Sequence, residues 1–421
     1  MGNSILDYTD FCINGTTLLD GQRISGLESC VSYGVSIHEE VDTEALKEAV
    51  RRVYSEIDCF HMHLVKKADG SSSYLFDKNI TEELHIVSAE GATPAERLEY
   101  AKNRLIAQSS AVRDRYSFSP FFAELYRIDS GEFFLAAYLD RFVSDGHSIG
   151  VALMKILSCY KGTVIAGGVS TKSMRDYIAG LGDEKAAADA EYWRSHIGGC
   201  ELPPYSPDVR DLPAFDGRPR FMYFPRQELS SAARRLKTTA GSLFTAVYHL
   251  TLMTVFGSAD NVISYVSTDR NSLDEWGIIG PFVKPLSSRI LIDTDDTLGA
   301  FVKKVSAEAG NNLRHKSAHI RDIPISRYGM SFLNHSKPFL PDGIYTQYMP
   351  DLYLDGVDAS FIYLRIQELA DVFEVEFVCP RSRLSRRDYE KTIAVFGSYT
   401  RAFIGCEADT VLRNMIQGVT I

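Results

Sequence analysis

Between positions 140 and 148 the chain sets out Asp140, Arg141, Ser144, Asp145, His147 and Ser148, with Gly146 among them. The apolar run before them, Phe133 to Leu139, lacks clean alternation, which fits a strand buried on both faces. After them Ile149, Val151, Leu153, Met154, Ile156 and Leu157 read as a buried helix ending near Lys161-Gly162. Strand, Asp-Gly turn and helix together hold polar groups rigidly beside a cavity. An Asp and an Arg at the end of a core strand cost free energy unless paired, so Asp140 and Arg141 are candidates for function. Arg141 stays protonated and cannot act as a base. It can bind a carboxylate or phosphate, stabilise an oxyanion, or pair with Asp140 and fill space. His147 is the histidine nearest the turn and a candidate base, although a packing role is the commoner fate of such a residue.

Other candidates lie further off. His61 and His63 share one face of an expected strand, but no third ligand has recognisable spacing, so no metal site is expected. Asp355, in Asp355-Gly356, is a turn acid or a catalytic one. Arg381, Arg383, Arg386 and Arg387 form a basic cluster able to dock an acidic partner, or a solvated helix start.

The elements that must position these residues follow from local patterns. Cys30 to Ile37 reads as a strand, and Asp42 caps a helix with apolar positions Leu46, Ala49, Val50, Val53 and Ile57. A hairpin is expected from His61–Val65 to Ser73–Phe76. Thr93-Pro94-Ala95-Glu96 is a capping box. Phe121 to Ile128 and Glu132 to Leu139 pair across Asp129-Ser130-Gly131. An Ala-rich helix ends in Glu191-Tyr192-Trp193-Arg194, and the Pro-rich stretch Gly198 to Pro219 reads as a linker. The second half restarts with a strand at Arg220, a helix from Ser230, a buried helix from Ser242, a strand from Asn261 and a helix from Thr297. Strands at Asp358–Ile366 and Val372–Cys379 and a helix after Ser385 follow.

The net charge of −10 gives no support for nucleic-acid binding. Seven scattered cysteines without a Cys-x-x-Cys pair fit reduced thiols in the cytoplasm. The N-terminus has no signal-peptide pattern and is a poor myristoylation match. Leu243 to Phe256, which contains His249, is too short to span a bilayer, so no membrane role is expected.

Asp140 to Gly146 resembles the signature of the condensation-domain family, which shares its fold with chloramphenicol acetyltransferase. That signature is His-His-x-x-x-Asp-Gly, its second His being catalytic. Asp145-Gly146 match its end, while Asp140 and Arg141 stand at the two His positions. Further segments resemble the family in the same order. They are Ser117 to Ile128, then Asp176-Tyr177 with Tyr192-Trp193, Leu243 to Thr268 with Asp269-Arg270-Asn271, Gly280-Pro281-Phe282-Val283 with Leu286 and Arg289, and Arg321-Asp322-Ile323-Pro324.

The resemblance implies an α/β (α+β) fold of two chloramphenicol acetyltransferase-like lobes in a V. Each lobe would be a mixed sheet flanked by helices, with the active-site tunnel between them. The expected division is 1–199, a linker at 200–219, and 220–421. Substrates would be thioesters on the phosphopantetheine arm of a carrier protein, or coenzyme A thioesters, with no bound cofactor. Asp145 would pair with Arg289, leaving Asp145, Gly146, Ser148 and Arg289 structural. Ordinary histidine-based condensation is not expected. Heterocyclization domains carry Asp-x-x-x-x-Asp-x-x-Ser, which Asp140, Asp145 and Ser148 match. Pro350 to Asp355 resembles their Thr-Pro-x-x-x-Leu-Asp run and puts that subfamily's catalytic Asp on Asp355. Met349 and Gly280-Pro281-Phe282-Val283 depart from the subfamily. Other members with Arg at the second His position recruit tailoring oxygenases, a pattern that Arg141 fits, while Asp140 and Gly146 do not match its His and Asp. The expectation is a stand-alone, monomeric protein of nonribosomal-peptide-type metabolism, with Asp140, Arg141 and Asp355 as candidate catalytic residues. It would form an amide or ester or cyclise, or else serve as a degenerate recruitment module.

Overall fold

A computed structural model describes residues 5–6, 30–66, 68, 72–77, 79, 82–111, 119–140, 143–163, 174, 183–200, 220–268, 270–318, 322–333, 344–348, 362–379 and 384–418. In chain order the first half gives β1 (Ile5–Leu6), β2 (Cys30–Ile37), α1 (Thr43–Glu56), β3 (Met62–Lys66), β4 (Ser72–Phe76), β5 (Leu84–Val87), α2 (Pro94–Ser110), β6 (Phe121–Asp129), β7 (Glu132–Asp140), α3 (Gly146–Lys161) and α4 (Asp183–Ile197). The second half gives β8 (Arg220–Pro225), α5 (Arg226–Arg235), α6 (Ala240–Phe256), β9 (Asp260–Thr268), α7 (Leu273–Trp276), β10 (Val283–Leu291), α8 (Leu298–Arg314), β11 (Tyr328–Leu333), β12 (Tyr345–Tyr348), β13 (Ile362–Glu368), β14 (Val372–Val378), α9 (Arg386–Gly405) and α10 (Leu412–Gly418).

The chain forms two compact units built from interleaved segments. One holds Met1–Gly182, Thr268–Val283 and Lys337–Leu352; the other holds Asp183–Ser267, Lys284–Ser336 and Tyr353–Ile421. The first division therefore falls earlier than position 199. The reason is apolar: Ala190, Trp193 and Ile197 of α4 pack with Val262, Leu286, Ala318 and Ile323 of the second unit. The expected linker lies almost wholly outside the described residues.

The first unit contains a five-stranded sheet in the order β12-β2-β7-β6-β5, beside a small sheet β1-β4-β3. β7 runs through the middle, antiparallel to β2 and β6. Its Leu135, Ala137 and Leu139 pack with residues of α1 and α3, including Leu46, Val50, Ile149 and Leu153. Its Phe134, Ala136 and Tyr138 pack with Ala101 and Leu105 of α2. A strand covered on both faces has no polar side to alternate with, which is why Phe133 to Leu139 is unbroken apolar. The expected hairpin turns at Gly131, whose φ of 66° is the left-handed region that glycine enters without strain. The capping box at Thr93 and Glu96 is formed, and Asp42 caps α1 by accepting from the Glu44 and Ala45 amides.

The second unit carries a mixed six-stranded sheet in the order β10-β9-β11-β13-β14-β8. β11 is parallel to both β9 and β13, while β14 is antiparallel to β13 and β8. α6 is apolar on every side, and Leu243, Phe244, Val247, Tyr248, Leu250 and Leu252 are all 0% exposed, so it is a core helix. Among the described residues no single helix is long and apolar enough to cross a membrane. α5 begins at Arg226, directly after Pro225, rather than at Ser230. β5, β11, β12 and α10 are short elements that the local patterns do not announce.

Candidate functional site

Asp145 is the best-anchored polar residue of the signature stretch. It caps α3 with an extended backbone, and its Oδ1 accepts from the Ser148 amide at 2.9 Å. Gly146 is then the first helical residue, with an ordinary backbone. Among the described residues a Cβ there would meet only the Tyr33 hydroxyl, at 3.8 Å, so the expected Asp-Gly turn is a helix start. The other Asp145 oxygen accepts from the Phe282 amide at 3.1 Å. Arg270 Nη2 lies 3.3 Å from both carboxylate oxygens.

This ion pair is buried, with side-chain exposures of 0% for Arg270 and 3% for Asp145. A buried pair persists only when its remaining polar atoms are satisfied. Arg270 Nη1 donates to the carbonyls of Glu275 and Ile278, the latter at 2.7 Å. The guanidinium also lies 4.0 Å from the centre of the Phe282 ring, a cation–π contact. Ser148 Oγ accepts from the Gly280 amide at 3.1 Å and from Arg270 at 3.1 Å. Its single proton serves either Asp145 Oδ1 or the Gly280 carbonyl, both at 2.8 Å. A Cβ at Gly280 would sit 2.4 Å from the Met174 sulfur, so any larger residue there would displace the Met174 side chain.

The resemblance had put Asp145 against Arg289. That pairing is corrected: Arg270 is the partner of Asp145, and Arg289 binds Asp260. The physical reason is reach. The loop 270–282 closes around Asp145 through Arg270, Gly280 and Phe282. Arg289, on β10, faces Asp260 at the start of the adjacent strand β9, at 3.0 and 2.7 Å. That guanidinium holds the Asp260 carboxyl below its usual range. In the sequence Arg270 stands out only as part of the run Asp269-Arg270-Asn271. The available signal was the run Ser272-Leu273-Asp274-Glu275, a capping box that folds the loop back and is formed in the structure.

Asp140 ends β7 directly opposite Cys30 and is 2% exposed. Directly opposed residues share a sheet face, and Cys30 belongs to the core beneath α2, as does Tyr138 two residues before Asp140. Asp140 therefore lies on the α2 side. His147 Nε2 donates to the Trp276 carbonyl at 2.7 Å, and its ring meets the Trp276 ring edge-on at 4.9 Å. Arg386 is exposed and pairs with Glu390 at 2.7 Å, one helical turn on, and Arg387 follows it in the first turn of α9. Arg141, Asp355, Arg381 and Arg383 lie outside the described residues. His61 Nε2 lies 2.9 Å from the Tyr54 carbonyl.

Chemically, the Asp145 group is closed. A carboxylate serving an arginine, a serine and two backbone amides is not a free base. The wholly buried Cys59 is pushed up by burial, and then by Asp58, so it stays a thiol rather than a nucleophile. In the second unit Ser288, His249 and Asn261 hydrogen-bond in a row resembling an activated nucleophile, at 3.0 and 2.6 Å. Their exposures of 1%, 0% and 0% admit no substrate, so this trio is structural.

A family model described as Condensation domain matches residues 28–326. Nonribosomal peptide synthetase nlsA of Emericella nidulans is 28% identical over 202 residues, which are 46% of this chain and 3% of that protein. Beauvericin nonribosomal cyclodepsipeptide synthetase of Gibberella fujikuroi is 22% identical over 337 residues, covering 76% of this chain and 10% of that protein. The chain thus spans a tenth or less of the length of these relatives. Among solved structures, the starter condensation domain of rhizomide synthetase in complex with C8-CoA aligns with a TM-score of 0.72 at 14% identity, over 92% of each chain. The X-domain from teicoplanin biosynthesis aligns with a TM-score of 0.73 at 17% identity, over 95% of this chain and 94% of that one. These solved structures share the fold.

Proposed function

The chain belongs to the condensation-domain family of nonribosomal peptide synthesis, and from that membership we propose that it acts on acyl or aminoacyl thioesters carried by a carrier protein or by coenzyme A. It joins them as an amide or ester, or closes a heterocycle, without the histidine base of the family signature. The observation that carries this reading is the intact Asp145–Ser148–Arg270 group, which ties the start of α3 to the loop 270–282. A buried charge pair with its hydrogen bonds in place fits a site that receives a substrate. The chemistry then falls to Asp140, Arg141 and Asp355. In this reading Arg141 stabilises the developing oxyanion, and Asp140 and Asp355 act as in heterocyclization. The protein works in the cytoplasm as a monomer, and the basic residues Arg381, Arg383, Arg386 and Arg387 receive an acidic carrier.

One observation favours a second reading. Asp140 is 2% exposed on the α2 side of the sheet, where a carboxylate serves packing more readily than proton transfer. On that reading the domain recruits a partner enzyme or carrier and catalyses nothing.

The test is incubation with loaded carrier proteins and analysis of the bound product by mass spectrometry, comparing wild type with Asp140→Ala, Arg141→Ala and Asp355→Ala. Product in the wild type that falls about a hundredfold or more in at least one variant supports the enzyme. Stable carrier binding with no product supports recruitment.

A further inference from the structure

We propose that the second unit carries a binding site for an aliphatic carboxylate in the cavity between α9 and α10, with Arg401 receiving the carboxyl group. The cavity follows from how the chain turns between these helices. α9 ends at Cys406, whose backbone is extended and whose amide donates to the Ala402 carbonyl at 2.8 Å. The residues that follow are fastened to the start of α8. The Gly299 amide donates to the Ala408 carbonyl and the Leu298 amide to the Thr410 carbonyl, both at 2.8 Å. α10 then sinks Leu412 and Met415 into the core. Between the two helices this leaves a cavity of about 530 Å³ that reaches to Gly418. Small-ligand sites span roughly 300–1,000 Å³.

The lining selects the ligand chemistry. Arg401 is its one charged residue, and among the described residues this guanidinium has no hydrogen-bond or ion-pair partner. Thr410 and Asn414 also line the cavity, and their side chains are likewise unspent among the described residues. No acid of the neighbouring loop competes for Arg401: Glu407 leans toward Arg235 at 4.0 Å, and Asp409 is exposed and outside the lining. A guanidinium fork takes a carboxylate through two parallel hydrogen bonds, and a hydroxyl and a side-chain amide donate to its remaining lone pairs. Ala402 and Met415 give the cavity an apolar wall for a methylene tail. An α-amino acid would bring an ammonium for which the lining holds no acid. A phosphate, with nearly two negative charges, would find a single cation.

Arg401 is exposed and a side chain at Gly418 would meet open space, so variants at both positions keep the fold. The experiment titrates octanoate, octanamide and octyl phosphate into the full chain by calorimetry. In parallel it follows alkylation of Cys406 by iodoacetamide through peptide mass spectrometry. Cys406 lines the cavity and is half-buried, and the half-buried Cys159 of α3 is the control. The expected result is saturable binding of octanoate at one site. Binding should be at least about tenfold weaker for octanamide, and for octanoate in Arg401→Ala. It should be about threefold weaker in Arg401→Lys, which keeps the charge but not the fork, and weaker in Gly418→Leu, which narrows the cavity. Octanoate should slow alkylation of Cys406 and leave that of Cys159 unchanged. Wild-type affinity in Arg401→Ala, equal binding of octanamide, tighter binding of octyl phosphate, no protection of Cys406, or no saturable binding overturns the proposal.

Discussion

Two arginine–aspartate pairs of this chain show how differently the same two residue types behave. Arg270–Asp145 is almost wholly buried, held at 3.3 Å and enclosed by Ser148, Gly280 and Phe282. Arg289–Asp260 has the better geometry, two contacts at 3.0 and 2.7 Å, but its side chains are 27% and 36% exposed. The buried pair matters because losing one partner strands a charge in a low dielectric, whereas water takes over when the exposed pair breaks. Distance alone would rank them the wrong way round.

The largest effect expected from this contrast is on Arg270. Arg270→Ala should lower stability by about 3–5 kcal/mol, measured by denaturant unfolding, because Asp145 is left uncompensated. A loss under about 1 kcal/mol would mean that the buried pair is no hub. Replacing both partners sharpens the point. Asp145→Leu combined with Arg270→Met should be milder than the sum of the single losses by at least about 2 kcal/mol, since no charge is stranded.

Acid pH separates two groups of the second unit, His249 and Asp260. His249 is pulled down from 6.5 to about 4 by burial. Its Nδ1–H donates to Asn261 Oδ1, because Asn261 Nδ2 is spent on the His249 and Ser258 carbonyls. With the folded pKa below the unfolded one, the unfolded chain takes up the proton first. Stability is unaffected above pH 6.5 and falls as pH drops from 6.5 toward 4. The whole window is worth roughly 3 kcal/mol. Asp260, also lowered, contributes stability above its usual value of 3.8 and loses it only at more acid pH. His249→Gln should flatten the unfolding free energy between those limits, while Asp260→Asn should leave that window unchanged. The smallest effect belongs to the exposed pair itself: Arg289→Ala should cost about 1 kcal/mol or less by the same measurement.

Local signals in the sequence carried most of the fold. The capping box at Thr93, the Gly131 hairpin, the Asp42 cap and the core helix α6 each depend on neighbours within a few residues, so each could be read directly. The wholly apolar β7 also told its own position, since only a central strand is buried on two faces. Partner choice was not legible. Asp145 selects Arg270 because a loop more than a hundred residues later folds back through its own capping box, and no spacing rule encodes that closure. The short strands β11 and β12 were missed for a similar reason: their pairing with β13 and β2 comes from the sheet, not from their own pattern.

The interleaving of segments has a practical consequence for dissecting the molecule. The first unit needs 268–283, which carries Arg270 and Phe282, and β12 from late in the chain, while the second unit needs α4 from the early part. No single cut yields two self-sufficient halves. Cleavage at the stretch after α4 would leave the N-terminal piece with an orphaned helix and without its Arg270 loop. Chimeras that exchange one half of this protein should therefore misfold unless they exchange these three segments together with the units they complete.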